Sequence, residues 1–100
     1  MDSKLGLLKG DLEIITTIIR SMPGINKVVV FGSRAKGTQM PGSDVDLAVW
    51  CSSSDHAIAL SGKLNDETLL PYIFDVISYD DISNEALKAH INRVGIIIYP

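Results

Sequence analysis

Apolar residues recur in two patterns along this chain, and their alternation predicts its elements. Leu8, Leu12, Ile15, Ile18, Ile19 and Met22 recur at three- and four-residue spacing, which predicts an amphipathic helix. Pro23-Gly24 ends it, since proline cannot continue the hydrogen-bond ladder and glycine suits the terminal turn. Lys27-Val28-Val29-Val30-Phe31 is a β-branched run that predicts a buried strand ending at Gly32-Ser33. Gly37 to Ser43 holds two glycines and a proline and predicts a loop. Asp44 to Trp50 alternates in character and predicts a second strand. Ser52, Ser53 and Ser54, with Asp55, can cap a helix over roughly 55–66. Tyr72 to Ser78 predicts a third strand with Pro71 at its start. Ser83 can cap a helix over about 84–93, with Glu85 in the first turn and Gly95 in the left-handed C-terminal position. Ile96 to Tyr99 predicts a final short strand.

Alternating helices and strands predict an α+β fold of two layers, a mixed β-sheet with helices packed on it. The chain of 100 residues has no repeat, low-complexity tract or linker, so residues 1–100 are expected to form one domain. A composition 46% hydrophobic and 21% charged suits a packed core and excludes disorder. No apolar run approaches the ~20 residues of a bilayer span, and the start lacks the blocks of a signal peptide. The single Cys51 closes no internal disulfide, which suits a reducing cytosol. Nine basic against twelve acidic residues, a net charge of −3, argue against a protein that coats nucleic acid. The expectation is a cytoplasmic domain with no direct nucleic-acid or membrane partner.

Three aspartates stand out against that background. Side chains two apart in a strand share a face, so Asp44 and Asp46 are expected to point one way while Val45, Leu47 and Val49 pack on the other. Asp75 falls in the middle of Ile73-Phe74-Asp75-Val76-Ile77, where a lone charge is expensive. Three acids on one sheet would repel one another and raise their own pKa values. A divalent cation removes that cost, and hard oxygen ligands suit Mg²⁺ or Mn²⁺. Asp-x-Asp alone is compatible with a strand end in solvent, and Asp75 alone with a strand acid paired to a lysine. Together they point to a metal.

Gly32-Ser33-Arg34-Ala35-Lys36-Gly37 follows a strand and is expected to open a short helical turn, whose first N–H groups face whatever lies before them. Gly32 lets the backbone approach closely, the Ser33 hydroxyl can donate to a phosphate oxygen, and Arg34 and Lys36 add positive charge. Without the aspartates this would read as an ordinary strand–turn–helix junction.

Gly32-Ser33, ten residues, then Asp44-Val45-Asp46 resembles the hallmark of the polymerase-beta-like nucleotidyltransferase superfamily. The run Phe31 to Gly37, continuing into Ser43-Asp44-Val45-Asp46-Leu47-Ala48-Val49, resembles its minimal nucleotidyltransferase (MNT) branch almost position for position. Phe74-Asp75-Val76 is similar to the strand of the third carboxylate, and Ile91-Asn92-Arg93-Val94-Gly95 to Tyr99 to the branch's usual end. The resemblance implies that Asp44 and Asp46 ligate two Mg²⁺ ions and that Asp75 ligates the catalytic ion and helps activate an acceptor hydroxyl. It also implies that Gly32 and Ser33, with Arg34 beside them, hold the triphosphate of ATP or another nucleoside triphosphate. Two ions would stabilise the attacking and leaving oxygens of an in-line displacement, with no histidine or cysteine nucleophile.

Larger superfamily members carry a helical acceptor-binding domain, and the motifs here consume the whole chain. The MNT branch implies a partner, a small helical HEPN-type toxin, with AMP transferred from ATP to a toxin tyrosine by the antitoxin. Two other readings stand beside it: nucleotidyl transfer to a small molecule with a partner as substrate-binding subunit, and a non-catalytic module that masks its partner sterically. A homo-oligomer or hetero-oligomer is compatible with each. The intact set of three aspartates favours an enzyme. His56 is expected at the surface or in a cap, and His90 near a helix C-terminus where a proton meets the dipole favourably. Cys51 is expected to be a small buried residue, Trp50 a core or interface residue in preference to one edging the pocket, Asp80 and Asp81 loop or cap residues, and Lys63 and Lys88 solvated.

Overall fold

The computed structural model describes residues 5–38 and 43–100; residues 39–42, the heart of the predicted Gly37–Ser43 loop, lie outside the described residues. The elements run α1 (Lys9–Arg20), β1 (Ile25–Phe31), α2 (Ser33–Lys36), β2 (Val45–Cys51), α3 (Ser54–Asp66), β3 (Phe74–Ser78), a 3₁₀ turn (Tyr79–Asp81), α4 (Glu85–Val94) and β4 (Ile96–Tyr99). Every predicted element is present, within two residues at each boundary.

The strands form one mixed sheet in the order β3-β2-β1-β4. β1 is antiparallel to both β2 and β4, while β2 and β3 are parallel. That parallel pair requires a crossover, and α3 supplies it. The fold is α+β with helices on a mixed sheet, as predicted. Ile15 and Ile19 of α1 and Ala57, Leu60 and Leu64 of α3 pack with Val28, Val30, Val45, Leu47 and Val49 in the main core. On the other face Ile91 of α4 meets Val29, Phe31 and Ala48 in a smaller cluster.

Local chemistry sets the ends. The Ser53 hydroxyl accepts from the Asp55 N–H at 3.3 Å and opens α3. At α4 the cap is Asn84 rather than the predicted Ser83: its Oδ1 accepts from the Leu87 N–H at 3.1 Å. Gly95 does not take the expected left-handed conformation; it is extended at φ −61°, ψ 143°. Its glycine identity has a steric cause, since a Cβ there would strike the Ile91 carbonyl oxygen and the Val29 side chain. β3 begins at Phe74, two residues later than predicted, where Asn65 brackets the strand. The Asn65 amide donates to the Phe74 carbonyl at 2.9 Å and accepts from the Phe74 N–H at 2.8 Å, replacing a neighbouring strand at that edge. Among the described residues, no helix is long and apolar enough to cross a membrane.

Candidate functional site

The alternation of β2 sends Val45, Leu47 and Val49 into the main core, none of them exposed, and leaves Asp46 half-buried on the opposite face. In the parallel pairing Asp46 stands beside Asp75. Register neighbours across a sheet are about 4.8 Å apart in the hydrogen-bonding direction, so the two carboxylates share one surface. The Val45 N–H donates to the Ile73 carbonyl at 2.9 Å and continues the ladder to the end where Asp44 lies. On its other side Asp46 stands opposite Phe31, the last residue of β1.

The turn after Phe31 completes the arrangement. Gly32 has φ 75° and ψ −150°, a conformation that side-chain-bearing residues avoid. A Cβ at Gly32 would collide with Oδ2 of Asp46, so the backbone of the glycine–serine turn lies directly against that carboxylate. The first intrahelical bond of α2 runs from the Lys36 N–H to the Gly32 carbonyl at 3.1 Å, which leaves the earlier N–H groups of the turn without a helical acceptor.

The carboxyl of Asp46 is held above the ordinary aspartate value by burial, then by the neighbouring charge of Asp75, then by that of Asp44; His90 opposes the rise. Both other predicted acids therefore act electrostatically on Asp46. The three are not drawn into a tight cage, however: Asp44 and Asp75 are exposed, and among the described residues no three carboxylate, histidine or thiol groups converge closely enough to hold a metal ion as they stand. The donor chemistry nevertheless fits a hard divalent cation, with three carboxylates of which two are free to rotate.

Two sequence expectations change. Asp75 is not an expensive buried charge, because β3 is an edge strand and its acid faces solvent. Arg34 is not aimed at the acid face: its side chain is only 3% exposed and donates to the carbonyls of Leu5, Gly6 and Ser43. Trp50 takes the expected core role, packed against the smaller cluster and stacked on Tyr79 at 4.2 Å with the Lys27 ammonium 4.4 Å from its centroid. His90 was set aside in the sequence, yet it is half-buried on α4, 6.2 Å from the Phe31 ring, and the Asp46 carboxyl feels its charge. A signal for it existed, since positions 87, 90, 91 and 94 make the inward stripe of that helix.

A catalytic class follows from this pairing of a glycine–serine turn with strand carboxylates. The family model described as Polymerase beta, Nucleotidyltransferase matches residues 13–100, and the chain belongs to that family. No curated protein matches it. Among solved structures the chain is similar to a toxin–antitoxin crystallised with AMP-PNP, at 23% identity and a TM-score of 0.71, covering 92% of this chain and 73% of that one. It is also similar to a tri-AMPylated Shewanella oneidensis HEPN toxin in complex with MNT antitoxin, at 18% identity and a TM-score of 0.67, covering 91% and 71%. A third is the toxin–antitoxin MntA–HepT, at 18% identity and a TM-score of 0.66, covering 92% and 72%. At these identities the likeness establishes the fold.

Proposed function

We propose that this chain is a Mg²⁺-dependent adenylyltransferase that moves AMP from ATP to a hydroxyl of a partner protein, a tyrosine of a small helical HEPN-type toxin, and so serves as the antitoxin of a pair. One observation supports this most: Asp46 lies between the Gly32 backbone on one side and Asp75 on the other, so the turn and the acids meet at one place. The neighbours with AMP-PNP and with a tri-AMPylated HEPN toxin support the choice of donor and acceptor.

Asp44, Asp46 and Asp75 are the ligands for two divalent ions, which when bound neutralise charge on the attacking and leaving oxygens. The chain's own residues supply the positioning. Gly32 lets the turn approach the triphosphate, and the Ser33 hydroxyl donates to a β- or γ-phosphate oxygen. Asp75, exposed on the edge strand, orients the acceptor hydroxyl and takes its proton. The hydroxyl oxygen bonds to the α-phosphorus, the bond from that phosphorus to the bridging oxygen breaks, and pyrophosphate leaves. The acceptor hydroxyl comes from the partner chain, in keeping with the neighbours that are toxin–antitoxin complexes.

Incubation with the cognate helical partner and Mg-ATP, followed by intact-mass spectrometry, tests this reading. The expected result is an adenylyl-sized increase on the partner that Asp44→Asn or Asp46→Asn removes. A partner that stays unmodified yet is inhibited equally by the wild type and both variants would replace transfer with steric masking.

A further inference from the structure

We infer that Arg34 is the positioning residue of the acid face: it braces, from the buried side, the backbone segments that carry Ser33, Asp44 and Asp75, and it touches no substrate. That those residues form a nucleotide site rests on the function proposed above; the brace itself rests on geometry.

The guanidinium joins three parts of the chain. Nη1 donates to the carbonyls of Leu5 at 3.1 Å and Gly6 at 3.2 Å, and Nη2 donates to the Ser43 carbonyl at 2.8 Å. Its central carbon lies 5.1 Å from the centroid of the Tyr72 ring, and the Tyr72 hydroxyl donates to Asp11 of α1 at 2.7 Å. Two of the partners lie close in sequence to site residues, while Leu5 and Gly6 anchor the fork to the segment before α1. Arg34 follows Ser33, Ser43 precedes Asp44, and Tyr72 stands three residues before Asp75. A main-chain carbonyl cannot move without moving its residue, so bonds from one rigid planar fork fix the separations of those segments.

The Val45 N–H bond to the Ile73 carbonyl ties β2 to β3 at this end, and the Arg34 fork adds the tie to the Ser43 carbonyl at the start of the Asp44 segment. α2 has four residues, and its N-cap Gly32 supplies no side-chain bond. Complete burial of a guanidinium is costly, the more so because Nε has no hydrogen-bond partner among the described residues. A phosphate-gripping arginine would keep its fork open to the ligand, whereas here both terminal nitrogens are engaged on carbonyls.

Hydrogen exchange of the ligand-free protein tests the brace without nucleotide. Arg34→Lys keeps the charge but loses the fork and the flat surface that covers Tyr72. Amides of residues 44–47 and 74–76 should then exchange about tenfold faster, the low end for one charge-assisted hydrogen bond, while those of α3 and β4 keep their wild-type rates. Uniform acceleration throughout the chain would make Arg34 a general structural residue, and unchanged rates would remove the brace; either overturns the inference. A parallel Mg-ATP titration by calorimetry should show about tenfold weaker binding in the variant. Weakened binding with unchanged exchange would make Arg34 a phosphate ligand and likewise overturn it. A wild type that fails to bind Mg-ATP would count against the nucleotide reading alone, since the exchange pattern still decides the brace. If Arg34→Lys does not fold, Tyr72→Leu removes the ring against the fork together with its bond to Asp11; the amides of residues 44–47 should still exchange faster at smaller amplitude, and unchanged rates there would refute the brace.

Discussion

The two faces of β2 divide the demands on this molecule. One presents Val45, Leu47 and Val49 to α1 and α3, with no exposed surface left. The other presents Asp46, Ala48 and Trp50, and only its far part is packed: Ala48 lies in the smaller cluster with Ile91, and Trp50 is covered by Tyr79 and Lys27. At the end nearest the Gly32 turn the same face carries Asp46, whose proton affinity is raised by burial and by the charges of Asp75 and Asp44. A pleated strand can thus bury apolar surface on one side and hold mutually repelling groups on the other within consecutive residues. The lesson is that the acid end detracts from stability and must be supported by the face behind it.

The strongest way to break the comparison is to damage the supporting face. Leu47→Ala should cost about 2–5 kcal/mol in urea unfolding, the usual range for emptying a fully buried leucine site, and a cost well under 1 kcal/mol would deny that this face supplies the stability. Gly32→Ala joins the two faces' demands, because it forces an unfavourable φ and drives a methyl group into Asp46. A loss of about 1–3 kcal/mol is expected, together with loss of Mg-ATP binding by calorimetry; an alanine variant that binds as the wild type does would show that the close approach is dispensable. The smallest of these effects concerns α4, which brings His90 to the acid end. Asn84→Ala should cost about 1 kcal/mol in the same unfolding assay, while Ser83→Ala should leave stability unchanged. The reverse order would restore Ser83 as the cap.

Much of this contrast was legible in the sequence, because period-two alternation states which side of a strand each residue takes. It placed Asp46 opposite Leu47, and the β-branched run marked β1 as a buried strand. It could not say that β3 lies at the edge: periodicity reports a residue's face, whereas exposure also depends on strand order, which is settled by the crossover through α3. Arg34 was misread for a related reason. Its charge suggested phosphate, but its partners are backbone carbonyls up to 29 residues away, and a carbonyl leaves no mark in a sequence. Gly95 shows the same limit, since a glycine required by close approach looks like one required by a turn. The Asn65 bracket was equally hidden, as a side chain standing in for a strand is visible only once the edge is known.

Paired thermal melts of wild type and Asp46→Asn, with and without Mg-ATP, test most directly whether Asp46 is retained for binding and not for folding. The pKa of Asp46 is raised in the folded state, so its charged form disfavours folding above that pKa and the penalty fades as the pH falls through it. At pH 7 without ligand, the variant should therefore melt at the same temperature as the wild type or higher, with any gap closing in acid. Mg-ATP at 100 times its dissociation constant should stabilise the wild type by about 2.7 kcal/mol and leave Asp46→Asn unmoved. A variant that melts lower without ligand, yet still gains the full stabilisation from Mg-ATP, would make Asp46 a structural acid and contradict the account.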